Sequence, residues 1–253
     1  MSNALERGLH AIELLAGKST GLALQQVAEA LDIPPSATHR MLNCLVEQGF
    51  VRQDHQHGNY VLALKVVSLA FKHLSQSNIV DLAKPILDRL ARLSGELVRL
   101  SIVDGDNLVW ISKAQGTRSG LRYDPDSGAD AKLCCTASGL AWLSSLSNER
   151  ALELVYRQGL AKPGEYGPNA ATTIDHLLKN LQLARDQSYA SVDESFEIGA
   201  AAMAAAIRDS QHQVIGVISI AGPSVRLTPE RMQTLKAALL EAADEIPAAF
   251  QAQ

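Results

Sequence analysis

The chain has 253 residues, 47% of them hydrophobic and 20% charged, with a formal net charge of −4. The length admits two domains, and the composition is ordinary for a soluble globular protein. No run of about 18 apolar residues occurs, and the start MSNALERGLHAIELL has no basic stretch ahead of an uninterrupted apolar core, so neither a membrane span nor a signal peptide is expected and a cytoplasmic location is.

Leu5, Leu9, Ile12 and Leu15 form an apolar stripe ending at Gly17, which predicts a first helix that contributes to a small N-terminal core. Leu24, Val27, Ala28 and Leu31 repeat with helical spacing and predict a second helix ending at Asp32. Ile33 supplies an apolar plug for the turn, and Pro34-Pro35 stops one helix and starts another near Pro35, because proline is tolerated at a first helical position. On this third helix Ala37, Met41, Cys44 and Leu45 share one side, with Cys44 expected in the core. Ser36, His39, Arg40, Asn43 and Glu47 share the other side, with Thr38 at its margin.

Gly49 closes the third helix, and Phe50-Val51-Arg52 and Tyr60-Val61-Leu62 are β-prone runs flanking a turn at Asp54 to Asn59. Helix, turn, helix and β-ribbon in this order predict a winged helix that reads DNA. Hydroxyl, imidazole, guanidinium and amide groups near a helix N-terminus reach base edges and phosphates in a major groove. The expected contacts are Ser36, Thr38, His39, Arg40 and Asn43, with Gln25 on the preceding helix and Arg52 on the wing. His55, His57 and Asn59 lie where a wing touches phosphates.

Charge argues for restraint. Residues 1–75 carry six Lys or Arg (Arg7, Lys18, Arg40, Arg52, Lys65, Lys72) and six Asp or Glu (Glu6, Glu13, Glu29, Asp32, Glu47, Asp54), so the region is formally neutral and the whole −4 falls on residues 76–253. A monomeric DNA binder carries a basic footprint. Five of the seven histidines fall in this region (His10, His39, His55, His57, His73), and a dimer doubles the cations at the reading face. A winged helix used only for protein interaction is the alternative.

Residues 64–77 keep helical spacing through Leu64, Val67 or Ser68, Phe71 and Leu74, with more apolar surface than a solvated linker carries, and read as a connecting helix that pairs with its twin in a dimer. A second domain opens at Asn78. Ile79, Leu82, Ala83, Ile86, Leu90 and Leu93 mark a helix, and LVRLSIVDGDNLVWISKAQ marks a hairpin turning at Asp104-Gly105-Asp106-Asn107. Thr136–Leu146, Asn148–Gln158, Thr173–Gln187 and Thr228–Phe250 read as helices, and Tyr189–Val192 and Gln213–Ala221 as strands. This mixture without regular alternation predicts an α+β class with antiparallel sheet. The expected domains are 1–63, 64–77 as linker, and 78–253. The run Gly199 to Ile207 is helical by alanine propensity, although it lies between strand-like segments.

Cys134 and Cys135 are adjacent and match no zinc spacing; they read as buried small hydrophobes. An enzyme is disfavoured. No G-x-S-x-G elbow, P-loop, H-E-x-x-H or dinucleotide fingerprint occurs, His176 and His212 read as surface residues, and Asp124-Pro125-Asp126 with Asp130 read as solvated turn acids. No cofactor or metal is expected.

T-H-R-M-L in the third helix, Y-V-L-A-L closing the wing, T-A-S-G at 136–139, and S-I-A-G-P at 219–223 followed by R-L-T resemble, in order and over nearly the whole chain, the IclR-type bacterial transcription regulators. The resemblance implies a winged helix-turn-helix, a dimerising linker helix and a C-terminal effector domain resembling GAF domains. It also implies that the alanine run is a strand.

It further implies a pocket for a small organic acid between the start of the T-A-S-G helix, the alanine strand and the S-I-x-G-P strand. By position, Ala137 and Ser138 offer backbone N–H groups, Ser219 offers a hydroxyl, Asp193 closes the pocket and Leu121 covers it. Several residues depart from the family pattern. Lys132-Leu133-Cys134-Cys135 stands in place of P-L-H-A, Leu140 in place of a lysine, and Ala202 and Ala221 where pockets for very small acids carry a hydroxyl or thiol. An alanine wall leaves more volume and fewer polar anchors, so the expected effector is a larger, aromatic or branched acid, with a ligand-insensitive regulator as the alternative. The expected mechanism is a homodimer or homotetramer on double-stranded operator DNA, in which the effector changes the spacing of the reading heads through the linker helices.

Overall fold

The computed structural model describes residues 3–54, 56–74, 79–117, 119–123 and 131–251. His55, the acids Asp124, Asp126 and Asp130, and the join at 75–78 lie outside the described residues. The chain divides into two compact units, Met1–Ser77 and Asn78–Gln253.

In the first unit α1 spans Ala4–Ala16, and its start is fixed by a reciprocal cap. The Asn3 side chain accepts from the Glu6 N–H at 2.9 Å, while the Glu6 carboxylate accepts from the Asn3 N–H at 2.8 Å. Helix α2 (Leu24–Leu31) ends at Asp32, whose φ of 51° turns the chain toward α3 (Pro35–Glu47). Strands β1 (Val51–Gln53) and β2 (Tyr60–Leu62) pair antiparallel as the wing, and Leu22 bridges to Tyr60 on its other side. Glycine is required at position 21: φ is +71°, and a Cβ would lie 2.5 Å from the Tyr60 carbonyl oxygen. Leu15, Val27, Leu42, Val51 and Tyr60 form the core.

Two expectations about this core are corrected. The N-terminal half of the first stripe does not enter it, since Leu5 and Leu9 are 70% and 50% exposed and Ala11 and Leu15 are the buried residues of α1. Cys44 is exposed as well, because α3 turns Thr38 and Leu42 inward. Helix α4 (Lys65–Leu74) leaves Val67, Leu69 and Phe71 uncovered, as is Leu64 just before it.

The second unit opens with α5 (Ile79–Ser94), followed by strands β3 (Leu97–Asp104) and β4 (Asn107–Gln115), joined through Gly105 at φ +58°. Helices α6 (Ala137–Leu143), α7 (Asn148–Gln158) and α8 (Ile174–Gln187) come next, then β5 (Ala190–Asp193), β6 (Ala200–Arg208), β7 (Val214–Pro223) and α9 (Pro229–Gln251). The five strands form one antiparallel sheet in the order β4-β3-β7-β6-β5, an α+β fold. Alternation along the strands divides the core. Leu100, Met203, Ile218 and Ile220 face the side packed with α5 and α9 residues such as Leu87 and Leu239. Trp110, Ala204 and Val217 face the other side, packed with residues of α6, α7 and α8 such as Leu140, Leu154 and Leu177.

The alanine run is therefore a strand. Its backbone pairs with β5 on one edge and β7 on the other, and those ladder bonds outweigh an intrinsic preference of a few tenths of a kcal/mol per residue, roughly, for helix.

Candidate DNA-reading helix and ligand cavity

The turn between α2 and α3 is built from local chemistry. Asp32 and Ile33 donate backbone N–H groups to Glu29 and Ala28, and buried Ile33 anchors the turn against the core. Pro34 then caps α3, accepting from the Ala37 and Thr38 N–H groups at 2.9 and 3.0 Å. With Thr38 and Leu42 turned inward, the opposite face carries Ser36, His39, Arg40 and Asn43, all exposed. His39 and Asn43 lie one turn apart, with Nδ1 and Nδ2 at 3.4 Å. Gln25 is exposed on α2, and Arg52 is exposed on β1. On the wing, His57 Nδ1 lies 3.1 Å from the Asp54 carboxylate, which holds the Asp54 pKa below its ordinary value.

Thr38 is a correction. It is fully buried, and its hydroxyl donates to the Pro34 carbonyl at 3.1 Å, so it belongs to the core side of α3 and has no surface with which to reach DNA. Helical spacing places it with Leu42 and Leu45, a match visible in the sequence but outweighed there by its hydroxyl.

The second site is a cavity of about 30 Å³ on the α6 side of the sheet. It lies between the first turn of α6, the start of β6 and the C-terminal half of β7. Thr136 sets the α6 start: its Oγ1 accepts from the Gly139 N–H at 3.0 Å and donates to the Lys132 carbonyl at 2.7 Å. Gly139 is required by close approach, because a Cβ there would lie 2.4 Å from the Leu133 carbonyl oxygen.

Of the expected effector contacts, the structure gathers Ala137, Ser138, Ala202, Ser219 and Ala221 at this cavity. It does not bring the other two. Asp193 ends β5 and projects toward a separate depression beside Tyr189 and Met232, with its carbonyl accepting from Asn169 Nδ2 at 3.0 Å. Leu121 is exposed, and its carbonyl accepts from Arg226 Nη1 at 2.8 Å. Arg226 is held in turn by a bidentate pair to buried Glu96, at 2.6 and 2.8 Å.

Sequence reasoning missed Arg99 and Tyr123. Arg99, in mid-β3, is 9% exposed and faces Ser219 across the ladder. Its guanidinium lies 4.0 Å from the Trp110 ring centroid, and its Nε has no hydrogen-bond partner. Burial depresses its pKa from the ordinary value, although an arginine remains cationic. Tyr123 borders the cavity too; burial pushes its phenol up, with the Arg99 charge a partial offset. Ser219 is 1% exposed, and its hydroxyl is also unpartnered. The signal available beforehand was one arginine inside the apolar run Leu97-Val98-Arg99-Leu100.

The expected spaciousness is a second correction. Arg99, Tyr123 and Phe196 line the cavity together with Ala202 and Ala221. As formed, the cavity has space for two or three waters, at about 10–15 Å³ each.

Known proteins match this chain along its length. The family model described as the bacterial transcriptional regulator IclR C-terminal matches residues 71–248, and the IclR helix-turn-helix domain matches residues 4–55. The chain is similar to the acetate operon repressor of Salmonella typhimurium, 30% identical over 251 residues, spanning 98% of this chain and 89% of that protein. It is also similar to the transcriptional repressor AllR of Escherichia coli K12, 31% identical over 230 residues, spanning 91% and 83%. Among solved structures, the Thermotoga maritima IclR aligns with a TM-score of 0.76 at 25% identity, over 98% of each chain. An IclR homologue of Microbacterium hydrocarbonoxydans, complexed with 4-hydroxybenzoate, aligns with a TM-score of 0.82 at 20% identity, over 99% and 100%.

Proposed function

The chain belongs to the IclR family of bacterial transcription regulators, which are not enzymes, and on that premise we propose that it represses transcription from a palindromic operator under control of a small organic acid. The observation that carries the DNA-reading part is the face of α3: Ser36, His39, Arg40 and Asn43 stand exposed on a helix whose other side is fixed in the core. Such a helix enters a major groove with its N-terminal residues at base edges. Gln25 and Arg52 flank it as phosphate contacts. The first unit is formally neutral, so binding rests on two copies reading two half-sites, and its salt dependence is modest. The uncovered Leu64, Val67, Leu69 and Phe71 supply the dimer contact, and a pair of dimers makes the tetramer. Repression is the role of both curated relatives by name.

The effector part rests on the cavity beside Ser219, and an organic acid is the ligand named for the structural neighbour in complex. Ala137, Ser138, Ala202 and Ala221 form its wall. A ligand there controls DNA binding only through different affinities for the DNA-bound and free arrangements. Among the described residues no helix is long and apolar enough to cross a membrane, and a DNA-reading regulator works in the cytoplasm.

The test is selection of bound duplexes from a random pool by the purified full chain. Enrichment of a palindrome with half-sites about one helical turn, or a multiple of it, apart supports a dimeric reader. No enrichment at low salt, with or without organic acids added, moves the winged helix to protein interaction.

A further inference from the structure

We propose that Arg99 is the charge partner of the effector, and that the cavity takes a compact monocarboxylate seated on its guanidinium, with a second ligand oxygen accepting from the Ser219 hydroxyl. The inference rests on the reading of this cavity as an effector site, and goes beyond it in naming the anchor and the charge of the ligand.

Two independent observations carry it. Arg99 is nine-tenths buried in the middle of a sheet, lines the cavity, and forms no ion pair among the described residues. Ser219, its direct neighbour across the β3–β7 ladder, points an unpartnered hydroxyl at the same space. A desolvated cation without a counter-charge destabilises a fold. Stacking on Trp110 offsets part of that cost and leaves Nε without a hydrogen-bond partner. Tyr123 cannot balance the charge, since burial keeps its phenol protonated. Since no carboxylate pairs with it among the described residues, an anion would complete the site, and a carboxylate matches the planar fork of an arginine with two parallel hydrogen bonds.

Charge then sets the class. Arg99 is the one cation lining the cavity among the described residues. A monoanion cancels it, whereas a dicarboxylate or phosphate dianion would bring an unmatched second charge against a wall of Ala200, Ala201, Ala202 and Ala221. The cavity's small volume favours a compact acid.

The test uses the full chain, thermal unfolding and intrinsic tryptophan fluorescence. The probes are acetate, lactate, benzoate and 4-hydroxybenzoate, with acetamide, benzamide, succinate and inorganic phosphate as controls. At least one monocarboxylate should bind saturably, and its amide, succinate and phosphate at least about tenfold more weakly. Arg99→Met should weaken that monocarboxylate by roughly 10- to 100-fold while raising the melting temperature of the unliganded protein, because an unpaired buried charge is gone. Arg99→Lys, which keeps the charge without the fork, should fold and bind more weakly than wild type while still rejecting the amide; it decides the matter if Arg99→Met does not fold. Equal monocarboxylate binding by wild type and both variants would overturn Arg99 as anchor and leave the effector reading standing. A lower melting temperature for Arg99→Met would assign Arg99 a structural role instead. No response of the wild type to any probe would remove the effector reading itself.

Discussion

Replacing Arg40 with alanine separates base reading from phosphate contact on α3. The side chain is exposed, and no hydrogen bond or ion pair engages it among the described residues. Its removal therefore breaks no hydrogen bond or ion pair among the described residues, and the unfolding free energy should change by no more than about 0.5 kcal/mol. Any loss of DNA affinity is then a loss at the interface. A bidentate contact to a base contributes about 1–3 kcal/mol of discrimination. Two half-sites double it to about 2–6 kcal/mol, so operator affinity should fall at least about 30-fold. The assay is fluorescence anisotropy with the selected operator and a scrambled duplex across a salt series. Base reading predicts a large loss on the operator and a small one on the scrambled duplex. Phosphate contact predicts equal losses on both, with the salt slope reduced by about one per subunit. Operator affinity within about twofold of wild type, roughly a fifth of the smallest loss expected from two half-sites, would refute the placement of Arg40 in the groove.

Thr38→Val removes the hydroxyl bond to Pro34 and should cost about 0.5–1.5 kcal/mol in denaturant unfolding. The base preferences recovered by selection should not change; an altered preference would return Thr38 to the reading face. Gly139→Ala forces a Cβ onto the Leu133 backbone at 2.4 Å, where no side chain can give way. A loss of about 1–3 kcal/mol or more is expected, lowering the melting temperature by roughly 2–4 °C per kcal/mol, and a melt like that of wild type would contradict the close approach. Phe71→Glu changes a residue that is 67% exposed in the single chain, so the fold should persist while light scattering reports a monomer and operator binding weakens. An intact dimer would move the dimer contact away from α4.

Spacing made the helices of both units legible. The stripe Leu24, Val27, Ala28, Leu31 became α2 with Val27 and Ala28 buried, and the Asp104 to Asn107 turn became the β3–β4 hairpin. Periodicity identifies an amphipathic face without saying what covers it. Leu5 and Leu9 repeat as faithfully as Leu15 and yet stand exposed. Residue type misled at Thr38, where a threonine can satisfy its hydroxyl on the carbonyl four residues back and pass as an apolar core residue. At Asp193 and Leu121 the chain runs near the expected position, but strand β5 ends with Asp193 turned away from the cavity, and the Leu121 backbone is drawn to Arg226. Arg99 was legible only as an oddity, since no spacing announces which face of a strand will border a cavity.

The alanine wall shows why substitutions alone do not reveal a cavity's size. Interiors close around missing methyl and hydroxyl groups when longer neighbours can enter the space. Here Arg99 borders the cavity from β3, and Tyr123 and Phe196 border it from outside the sheet. The sheet fixes the Arg99 backbone, so on the proposed reading an acid larger than two or three waters would displace Tyr123 or Phe196. Tyr123 is tied through its carbonyl to Gln115 at 3.0 Å, and nearby Leu121 is tied to Arg226 and so to Glu96. Phe196 stacks on Tyr166 with ring centroids 5.5 Å apart. On the proposed effector reading, a ligand entering there would strain contacts at the end of β4, or those beside β5 and β6, and this strain would control the operator only in so far as it differs between the DNA-bound and free arrangements. Only such a difference can be transmitted to DNA binding; contacts that the cavity makes equally well in both arrangements add affinity for the acid and no control over the operator.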